Sequence, residues 1–285
     1  MKAIVYDHYG PPNVLHIEDV PKPVPEDDEV LIRVRAAEAT KADTEMRSFR
    51  FAVNWFWLPL RLAFGVRRPK RKILGGYFAG EVVAVGKDVT RLAVGDEVYG
   101  TAGIRFGAYG EYVSLPARYT IVPKPTNMSF VEAAAVPLGA LNALHFLRLA
   151  DIQKGEKVLI NGAGGSIGAY GIQIAKAMGA EVTAVDKGIK EDFIRRMGAD
   201  HFVDYQTEDF TAKNERYDVI FDMVPGSSYS GCVRLLKPNG RYLTGNPTFS
   251  FMLRSVFTTW FSDKTVLFWF AGESEEDLLA LNTMI

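Results

Sequence analysis

The sequence predicts an α/β protein in which a small, mostly β domain precedes a doubly wound parallel sheet. Its 285 residues are close to twice the length of a typical domain of about 150 residues, which favours two domains. Short strand-like runs separated by glycine and proline fill the region up to about Leu115. From Lys157 onward, strand-like runs alternate with helix-length segments, as in a parallel sheet covered by helices on both faces.

The N-terminal region carries short runs of β-branched or alternating apolar residues. They are Ala3 to Tyr6, Val30 to Ala36, Gly80 to Val85, Asp96 to Tyr99 and Tyr109 to Val113. Few helix signals interrupt them, so this region is predicted to form a compact β domain. The change of rhythm places the domain boundary near Arg118, with residues 1–118 in the first domain and residues 119–285 in the second.

The C-terminal region carries strand-like runs on a strand-then-helix rhythm. They are Lys157 to Asn161, Glu181 to Val185, His201 to Val203, Asp218 to Asp222, Arg241 to Thr244 and Thr265 to Phe270. Before them, Ser129 and Glu132 have the spacing of a capping box, in which each side chain bonds the other residue's backbone. An apolar helix from Phe130 to Ala150 is therefore predicted to join the two regions.

Composition and charge exclude several classes of protein. The chain has 33 basic and 34 acidic residues, and a net charge of -1 gives no basic patch for nucleic acid. Its single cysteine, Cys232, excludes internal disulfides and multi-cysteine metal centres, and fits a reducing compartment such as the cytoplasm. The N-terminus becomes polar too early for a signal peptide. The two longest apolar regions, Phe49 to Val66 and Phe249 to Phe270, contain charged residues and are not predicted to span a membrane.

A glycine-rich turn between the strand at Lys157 and the following helix is the most informative motif. Ala163, Gly165 and Gly168 match the dinucleotide fingerprint, with alanine at the first glycine position. Glycine at 165 would let the backbone approach a pyrophosphate, and the helix N-terminus would supply N–H donors. The alternative is that these glycines only let the helix pack on its strand. The predicted phosphate-binding residues are Ala163, Gly164, Gly165, Ser166, Ile167 and Gly168.

An acidic residue follows the second strand of this region at the distance expected of a ribose ligand. Asp186 lies 18 residues after Gly168, close to the spacing of about 20 at which a carboxylate bonds the adenosine ribose hydroxyls. This spacing favours NADH over NADPH. Two alternatives remain open: Asp186 caps the next helix, or Lys187 and Lys190 bind a 2′-phosphate.

Several different short motifs follow one another in a characteristic order along the whole chain. They are Met1-Lys-Ala-Ile-Val-Tyr6, Tyr9-Gly-Pro-Pro12, Gly80-Glu-Val-Val-Ala-Val-Gly86, Val94-Gly-Asp-Glu-Val-Tyr99, Gly110-Glu-Tyr-Val113, Ala133-Ala-Ala-Val-Pro137, Asn161 to Gly168 and Gly198 to Tyr205. In these motifs the chain resembles the zinc-independent, quinone-oxidoreductase-like branch of the medium-chain dehydrogenase/reductase superfamily. The resemblance implies a GroES-like β domain followed by a Rossmann domain, with the active site in the cleft between them.

The resemblance also bears on metal binding. Zinc-dependent relatives place their catalytic ligands at positions that correspond to Thr40, Gly76 and approximately Leu138. Because glycine and leucine offer no ligand atom for zinc, no metal site is predicted. The histidines have no ligand spacing and are expected to be ordinary core or surface residues: His8, His16, His145 and His201.

For a chain without a metal site, the resemblance implies hydride transfer from NAD(P)H to a small quinone or α,β-unsaturated carbonyl. The acceptor oxygen gains negative charge in this step and needs a hydrogen-bond donor. The candidate donors are Thr40, where the family often has asparagine, and Tyr77, where it usually has an acidic residue. Asp43 is a candidate for orienting Thr40. The alternatives are a local turn role for Thr40, plain packing for Tyr77 and an ion pair of Asp43 with Arg47.

Further cofactor-binding candidates also come from the resemblance. Asn142 falls where relatives commonly carry threonine near the nicotinamide ring, and Gly245 and Asn246 follow the fifth strand, which should approach that ring. Tyr205 ends the motif that begins at Gly198 and is assigned to the cofactor site. The alternatives are a helix-surface amide for Asn142 and a plain turn at Gly245.

Three features bear on how the protein assembles and whether it is active. The aromatic stretch 51–65 and the basic run 67–72 are interpreted as a lid over an apolar pocket with a solvated loop behind it, in preference to a membrane-surface contact. The region Phe249 to Phe270 is either a homodimer surface or a buried helix and strand. Relatives continue for about 40 residues beyond the point where this chain ends, so its β domain is expected to lack a strand.

An alternative function follows from these last features. It is a nucleotide-binding sensor or structural protein that has kept the cofactor site and lost catalysis. A zinc-type alcohol dehydrogenase is a less favoured alternative, because the corresponding positions offer no ligand set.

Overall fold

The structure, a computed structural model, describes residues 1–51, 57–269 and 272–285. The chain forms two compact units, one made of Met1–Pro137 with Glu273–Ile285 and the other of Leu138–Gly272. The boundary drawn from the sequence at residues 118 and 119 lies inside the first unit. The reason is that the strand Ile121–Pro123 still pairs within the sheet of that unit. The C-terminal segment, which the sequence assigned to the second domain, also belongs to the first unit.

The strands of both units are numbered in chain order. They are β1 (Lys2–Val5), β2 (His16–Asp19), β3 (Glu29–Ala37), β4 (Tyr77–Val85), β5 (Glu97–Thr101), β6 (Tyr112–Pro116), β7 (Ile121–Pro123), β8 (Lys157–Asn161), β9 (Glu181–Asp186), β10 (His201–Asp204), β11 (Tyr217–Asp222), β12 (Leu236–Thr244) and β13 (Thr265–Phe268). The predicted strand Thr265 to Phe270 thus ends at Phe268, and residue 270 lies outside the described residues.

The α-helices are numbered in the same way. They are α1 (Lys41–Ser48), α2 (Trp57–Phe64), α3 (Phe130–Ala134), α4 (Val136–Leu149), α5 (Ser166–Ala177), α6 (Glu191–Arg196), α7 (Tyr229–Leu235), α8 (Phe249–Phe261) and α9 (Glu275–Asn282). Within the described ranges, none of them combines the length and the apolar character needed to cross a bilayer.

The first unit is built on an antiparallel sheet with strand order β6-β3-β4-β5-β7, accompanied by the β1–β2 hairpin. This arrangement confirms the predicted GroES-like β domain. Alternating residues of the central strands point to one face and form its core. Fully or nearly fully buried members of that core include Val30, Ile32, Phe78, Val82, Val98, Leu115 and Ile121.

The C-terminal segment is fastened to the first unit by side chains at both of its ends. Thr101 of β5 donates a hydrogen bond to Glu273 over 2.7 Å, and the Thr120 hydroxyl donates to the Glu273 carbonyl over 3.1 Å. At the far end, the Tyr99 phenol donates to the Asn282 side chain. These long-range bonds explain why the segment leaves the second unit.

The second unit is a parallel sheet with strand order β10-β9-β8-β11-β12-β13, which confirms the predicted Rossmann-like doubly wound sheet. All of its strands run in one direction, so their carboxyl ends lie along one edge. Ligands of such sheets bind at that edge, where the strand order reverses beside the first strand. Here the first strand is β8, flanked by β9 and β11.

The helix that joins the two regions is broken in two. Ser129 and Glu132 form the predicted capping box, in which the Ser129 N–H donates to the Glu132 carboxylate over 2.8 Å. The predicted single helix from Phe130 to Ala150 is nevertheless divided at Ala135 into α3 and α4. The break occurs because Pro137 has no N–H to donate and fits only the first turn of a helix.

Helix α8 and strand β13 are only partly buried. Phe251 packs edge-on against Tyr229 and Tyr242, whereas Trp260 and Phe261 expose more than three-quarters of their surface, at 76% and 79%. The buried helix-and-strand interpretation therefore holds for one face of α8. The homodimer surface remains a prediction for the other.

A buried polar network links the carboxyl ends of the central strands. The Asp222 carboxylate accepts hydrogen bonds from Asn161 at 2.9 Å, from Ser227 at 3.0 Å and from the Val224 N–H at 3.0 Å. The Tyr242 phenol donates to its other oxygen over 2.7 Å. Burial raises the pKa of Asp222 despite these donors. The network therefore fixes the strand ends but carries an electrostatic cost.

We predict that Tyr242→Phe lowers the free energy of unfolding by about 1–3 kcal/mol, because it removes a buried donor to a carboxylate. Urea denaturation of the purified protein measures the change. Tyr205→Phe is the matched control, since its ring is exposed and its hydroxyl makes no hydrogen bond within the described residues. Equal stability of the two variants would contradict a structural role for the network.

Candidate nucleotide and substrate sites

The glycine-rich turn leads from β8 directly into α5, as the sequence predicts. Gly162 has a φ of +83°, a backbone conformation that favours glycine. Its carbonyl accepts a hydrogen bond from the Gly165 N–H over 3.1 Å, and Gly165 is the N-cap residue of α5. The N–H groups in the first turn of a helix have no acceptor within the helix. The turn therefore presents unpaired donors, including those of Ser166 and Ile167, at the carboxyl edge of the sheet.

Two glycines of the fingerprint are explained by different constraints. A Cβ added at Gly168 would lie 2.3 Å from the Gly162 carbonyl oxygen, so the packing of α5 on the turn requires glycine there. A Cβ added at Gly165 would meet only the same oxygen, at an ordinary 3.4 Å. The fold thus tolerates a side chain at 165, and the open space beside it suits a ligand. Ala163 is fully buried and contributes only its backbone to the turn.

Asp186, at the end of β9, holds the turn from the side. Its Oδ2 accepts a hydrogen bond from the Gly164 N–H at 2.8 Å, and its Oδ1 accepts one from the Lys187 N–H at 2.8 Å. Lys190 lies 3.2 Å from the same carboxylate and also donates to the Gly164 carbonyl. The next helical segments begin without a cap from Asp186, so the helix-cap alternative is wrong. The carboxylate is instead built into the turn.

The other residues assigned to the adenosine end lie near Asp186. The Tyr205 N–H donates to the Asp186 carbonyl over 3.3 Å, and the Tyr205 ring is exposed. Lys187 is also exposed and follows Asp186 directly. The structure therefore brings Asp186, Lys187, Lys190 and Tyr205 to the ends of β9 and β10.

The residues assigned to the nicotinamide end lie near the ends of β11 and β12. The Asn246 amide donates to the Met223 carbonyl over 3.3 Å, and a Cβ added at Gly245 would lie 3.1 Å from the Met223 side chain. Gly245 also faces the ring of Phe146 on α4. Asn142 lies one turn before Phe146, but its amide donates to the Leu138 carbonyl of its own helix over 2.8 Å. That bond fits the alternative of an ordinary helix amide.

In the first unit, Thr40 and Asp43 form a closed pair at the N-terminus of α1. Each residue caps the other, as in a capping box. The Thr40 hydroxyl donates to Asp43 Oδ2 over 2.6 Å and accepts from the Asp43 N–H. Asp43 Oδ1 accepts from the Gly75 N–H at 3.1 Å. The expected ion pair with Arg47 is not formed among the described residues, because that guanidinium donates to the Gly10 carbonyl instead.

The hydrogen bond between Thr40 and Asp43 distinguishes the two predicted donors, Thr40 and Tyr77. The Thr40 proton is already used by Asp43, and both residues are more than 90% buried. Tyr77, at the start of β4, makes no hydroxyl hydrogen bond within the described part of the chain. Burial, with a contribution from nearby carboxylates, raises its pKa, so the phenol keeps its proton. Tyr77 is therefore the available donor.

Open space lies at Gly76, the residue before Tyr77, and a separate cavity lies elsewhere in the first unit. A Cβ added at Gly76 would meet nothing within 4 Å. A cavity of about 680 Å³ is lined by Thr40, Asp43 and residues of β1, β2 and β3, and Tyr77 is not among the described residues that line it. Both spaces lie within the first unit.

Glu38 is a functional candidate that the sequence analysis missed. It follows β3 directly, and its N–H donates to the Tyr77 carbonyl over 3.2 Å. Its Oε2 is completely buried and has no hydrogen-bond partner in the part of the chain that the structure describes. Burial, and secondarily Asp43, raises the pKa of Glu38 to about 7. The signal available in the sequence was a lone acid within Ala36-Ala37-Glu38-Ala39, two residues before Thr40.

The residues at the zinc-ligand positions of the relatives do not fit zinc. Gly76 and Leu138 have no ligand atom, and the hydroxyl of Thr40 is occupied by Asp43. Elsewhere in the described residues, Asp7, His16 and Glu18 lie close together on the surface. Asp7 is already paired with Lys72 at 2.6 Å.

Comparisons with known proteins support both units. The family model described as alcohol dehydrogenase GroES-like domain matches residues 26–126, and the model described as zinc-binding dehydrogenase matches residues 166–277. The quinone oxidoreductase from Coxiella burnetii is 30% identical, with a TM-score of 0.86, and the match covers 100% of this chain and 87% of that structure. The chain belongs to the quinone-oxidoreductase-like branch of the medium-chain dehydrogenase/reductase superfamily.

Two curated plant relatives of this family member are similar over most of its length. The 2-methylene-furan-3-one reductase of Solanum lycopersicum is 33% identical over 270 residues. The chloroplastic NADPH-dependent alkenal/one oxidoreductase of Arabidopsis thaliana is 32% identical over 271 residues. Each match covers 90% of this chain but 66% of the relative, so the chain spans just under two thirds of their length.

We predict opposite outcomes for alanine at the two glycines. Gly168→Ala should cost about 1–3 kcal/mol of stability or more, because the new Cβ collides with backbone. Gly165→Ala should cost about 1 kcal/mol or less, while the affinity for NAD(P)H falls roughly tenfold or more. Thermal unfolding and fluorescence titration with NAD(P)H measure the two effects. Unchanged nucleotide affinity in Gly165→Ala would contradict phosphate binding at the turn.

Proposed function

We propose that this protein is an NAD(P)H-dependent oxidoreductase that reduces a quinone or an α,β-unsaturated carbonyl without a metal. The observation that carries the proposal is the space beside Gly165, which the packing of the turn leaves open at the N-terminus of α5. Backbone donors around a pyrophosphate need this close approach. The relatives named as enone and quinone reductases support the same class of reaction.

The second unit would hold the cofactor. The N–H groups at the start of α5 would bind the pyrophosphate, and Asp186 with its neighbours would bind the adenosine ribose. Gly245 and Asn246 would contact the nicotinamide end. When bound, NAD(P)H supplies the hydride.

The first unit would stabilise the acceptor. Its oxygen gains negative charge as the hydride arrives at carbon, and a positioned donor lowers the energy of that state. Tyr77 is the group with a free proton, and the open space beside Gly76 gives an acceptor access to it. Asp43 and Thr40 would hold the N-terminus of α1 and the segment at Gly75 in place. They support the site through the backbone.

The chemistry of the residues at the zinc-ligand positions, Thr40, Gly76 and Leu138, supports a narrower substrate class. A single phenol is a weaker electrophile than a metal ion, so it suits acceptors that are already electron-poor. Quinones and conjugated carbonyls meet this requirement, because the added charge is delocalised onto oxygen. Simple ketones and aldehydes do not.

We further propose that NADH is preferred. The carboxylate of Asp186 is held beside the turn by two backbone N–H groups, where it would accept ribose hydroxyls and repel a 2′-phosphate. Lys190 opposes this preference, because its ammonium group lies 3.2 Å from that carboxylate. The balance between the two charges would set the selectivity.

We predict that Asp186→Asn raises the ratio of NADPH to NADH affinity about tenfold, because it removes the repulsive charge. Lys190→Ala should lower the same ratio. Fluorescence titration with each cofactor measures both changes. Lys213→Ala, on the same unit, is the charge control. An Asp186→Asn variant with an unchanged ratio would contradict the assignment of Asp186 to the ribose.

We predict that the purified protein oxidises NAD(P)H with benzoquinone or an alkenal, and that a metal chelator leaves the rate unchanged. Tyr77→Phe should lower kcat roughly 10²-fold, the size expected for a lost oxyanion donor, without changing cofactor affinity. Tyr112→Phe removes a phenol elsewhere in the first unit and should have little effect. The loss of NAD(P)H absorbance over time measures the rate with and without chelator and the kcat of each variant.

Two outcomes would contradict the proposal. Absence of nucleotide binding would exclude the whole class of dehydrogenases. Binding without turnover across quinones, enones and aldehydes would support the alternative of a nucleotide-binding protein without catalysis. Full activity of Tyr77→Phe would exclude the assigned donor only.

A further inference from the structure

Glu38 is a half-buried acid with one fully buried carboxyl oxygen, Oε2, for which the fold gives no structural reason. Among the described residues, its Oε2 has no hydrogen-bond partner and the side chain forms no ion pair. Burying such a group costs free energy unless it is neutral or paired. A glutamine or an apolar residue would meet the same packing at a lower cost. A chemical role accounts for the acid better than stability does.

Glu38 lies beside the donor assigned to the substrate. It directly follows β3, which pairs antiparallel with β4, and its N–H donates to the Tyr77 carbonyl over 3.2 Å. Side chains of such cross-strand neighbours are about 5 Å apart at Cβ. The Glu38 carboxyl is among the groups that raise the pKa of Tyr77. The two side chains are thus electrostatically coupled.

The other groups that face this pair are acids and phenols. Asp43 of α1 contributes to the raised pKa of Glu38, and its carboxylate accepts hydrogen bonds from Thr40 and from the Gly75 N–H. Tyr109 donates its phenol proton to the Glu38 carbonyl over 3.4 Å. Glu273 acts on Tyr77 from the C-terminal segment. No basic side chain forms an ion pair with Glu38 among the described residues, so its proton is held by burial and negative surroundings.

We propose that Glu38 is the proton reservoir of the reductase, acting through Tyr77. This inference depends on the reductase activity proposed above. As hydride adds to the acceptor carbon, the Tyr77 O–H bond breaks and an O–H bond forms on the acceptor oxygen. The Glu38 O–H bond then breaks, and its proton reaches the Tyr77 oxygen through a water molecule between the two groups, which restores the phenol. Water reprotonates the Glu38 carboxylate, and the net change is one hydride and one proton added to the acceptor.

The direction of the pH dependence follows from the raised pKa. Glu38 carries its proton below about pH 7 and loses it above. The reservoir is therefore full in mild acid, and kcat should fall as pH rises through neutrality. Because the folded protein favours the protonated form, Glu38 does not lower the free energy of unfolding below its unfolded pKa of 4.5. The cost builds up as pH rises from there toward 7, and it persists at higher pH. A neutral replacement should thus be at least as stable as the native chain in mild alkali.

The test measures kcat for enone reduction against pH in Glu38→Gln. We expect kcat at pH 6 to fall at least tenfold, the decline near pH 7 to vanish, and cofactor affinity to stay unchanged. Glu38→Asp, which keeps an acid, should retain a pH-dependent rate. Glu81→Gln, on β4 and paired with Arg35, is the matched control and should behave as the native protein. Thermal unfolding at pH 6 and pH 8 verifies that Glu38→Gln is folded.

A double-variant cycle separates the relay from a general disturbance of the site. If Glu38 acts through Tyr77, Glu38→Gln should cause little further loss in a Tyr77→Phe background. Additive losses would overturn the coupling. A native pH profile and kcat in Glu38→Gln would overturn the proposal while leaving the reductase function standing. Absence of turnover by the native protein would instead overturn both.

Discussion

The close approach of α5 to the turn after β8 is the constraint on which the second unit depends. Gly168 allows it, because any Cβ at that position would overlap the backbone at Gly162 and Ala163. The contact fixes the helix N-terminus at the carboxyl edge of the parallel sheet. Asp186 and Lys190 then brace the turn from β9 and the segment behind it. The N–H groups at the start of α5 are therefore held in place by the fold itself, which would reduce the ordering cost of binding the proposed pyrophosphate.

In the first unit, side-chain hydrogen bonds likewise hold the backbone near the proposed donor without using the donor itself. Asp43 binds the N-terminus of α1 through Thr40 and reaches the Gly75 N–H, so it ties α1 to the chain just before β4. Tyr77 is two residues further along that strand and remains free to donate. The hydroxyl of Thr40 is thus engaged in holding the backbone, whereas the proposal leaves the phenol of Tyr77 for an acceptor. This difference could not be read from residue types alone, because threonine and tyrosine both carry a hydroxyl.

Local signals predicted the fold well, and long-range bonds account for what they missed. The strand, turn and helix around Gly162 to Gly168 are encoded by neighbouring residues, as is the Ser129 capping box. The extent of the first unit depends on the pairing of β7 with β5 and on the bonds of Glu273 and Asn282, which join residues far apart in sequence. The sequence did not predict Glu38 as a functional residue for the same reason. Its isolation is a property of the packed structure.

Glu38 and Tyr77 together explain an otherwise puzzling departure from the family pattern. The resemblance leads one to expect an acid at position 77, where this chain has a phenol. The pairing of β3 with β4 places Glu38, which directly follows β3, across from Tyr77. A phenol keeps its proton at neutral pH and can donate, while a carboxyl that is buried without a partner can exchange one near neutrality. Under the proposed mechanism, dividing the two tasks between Tyr77 and Glu38 would keep an acid near the acceptor and add a donor that a carboxylate alone would not provide.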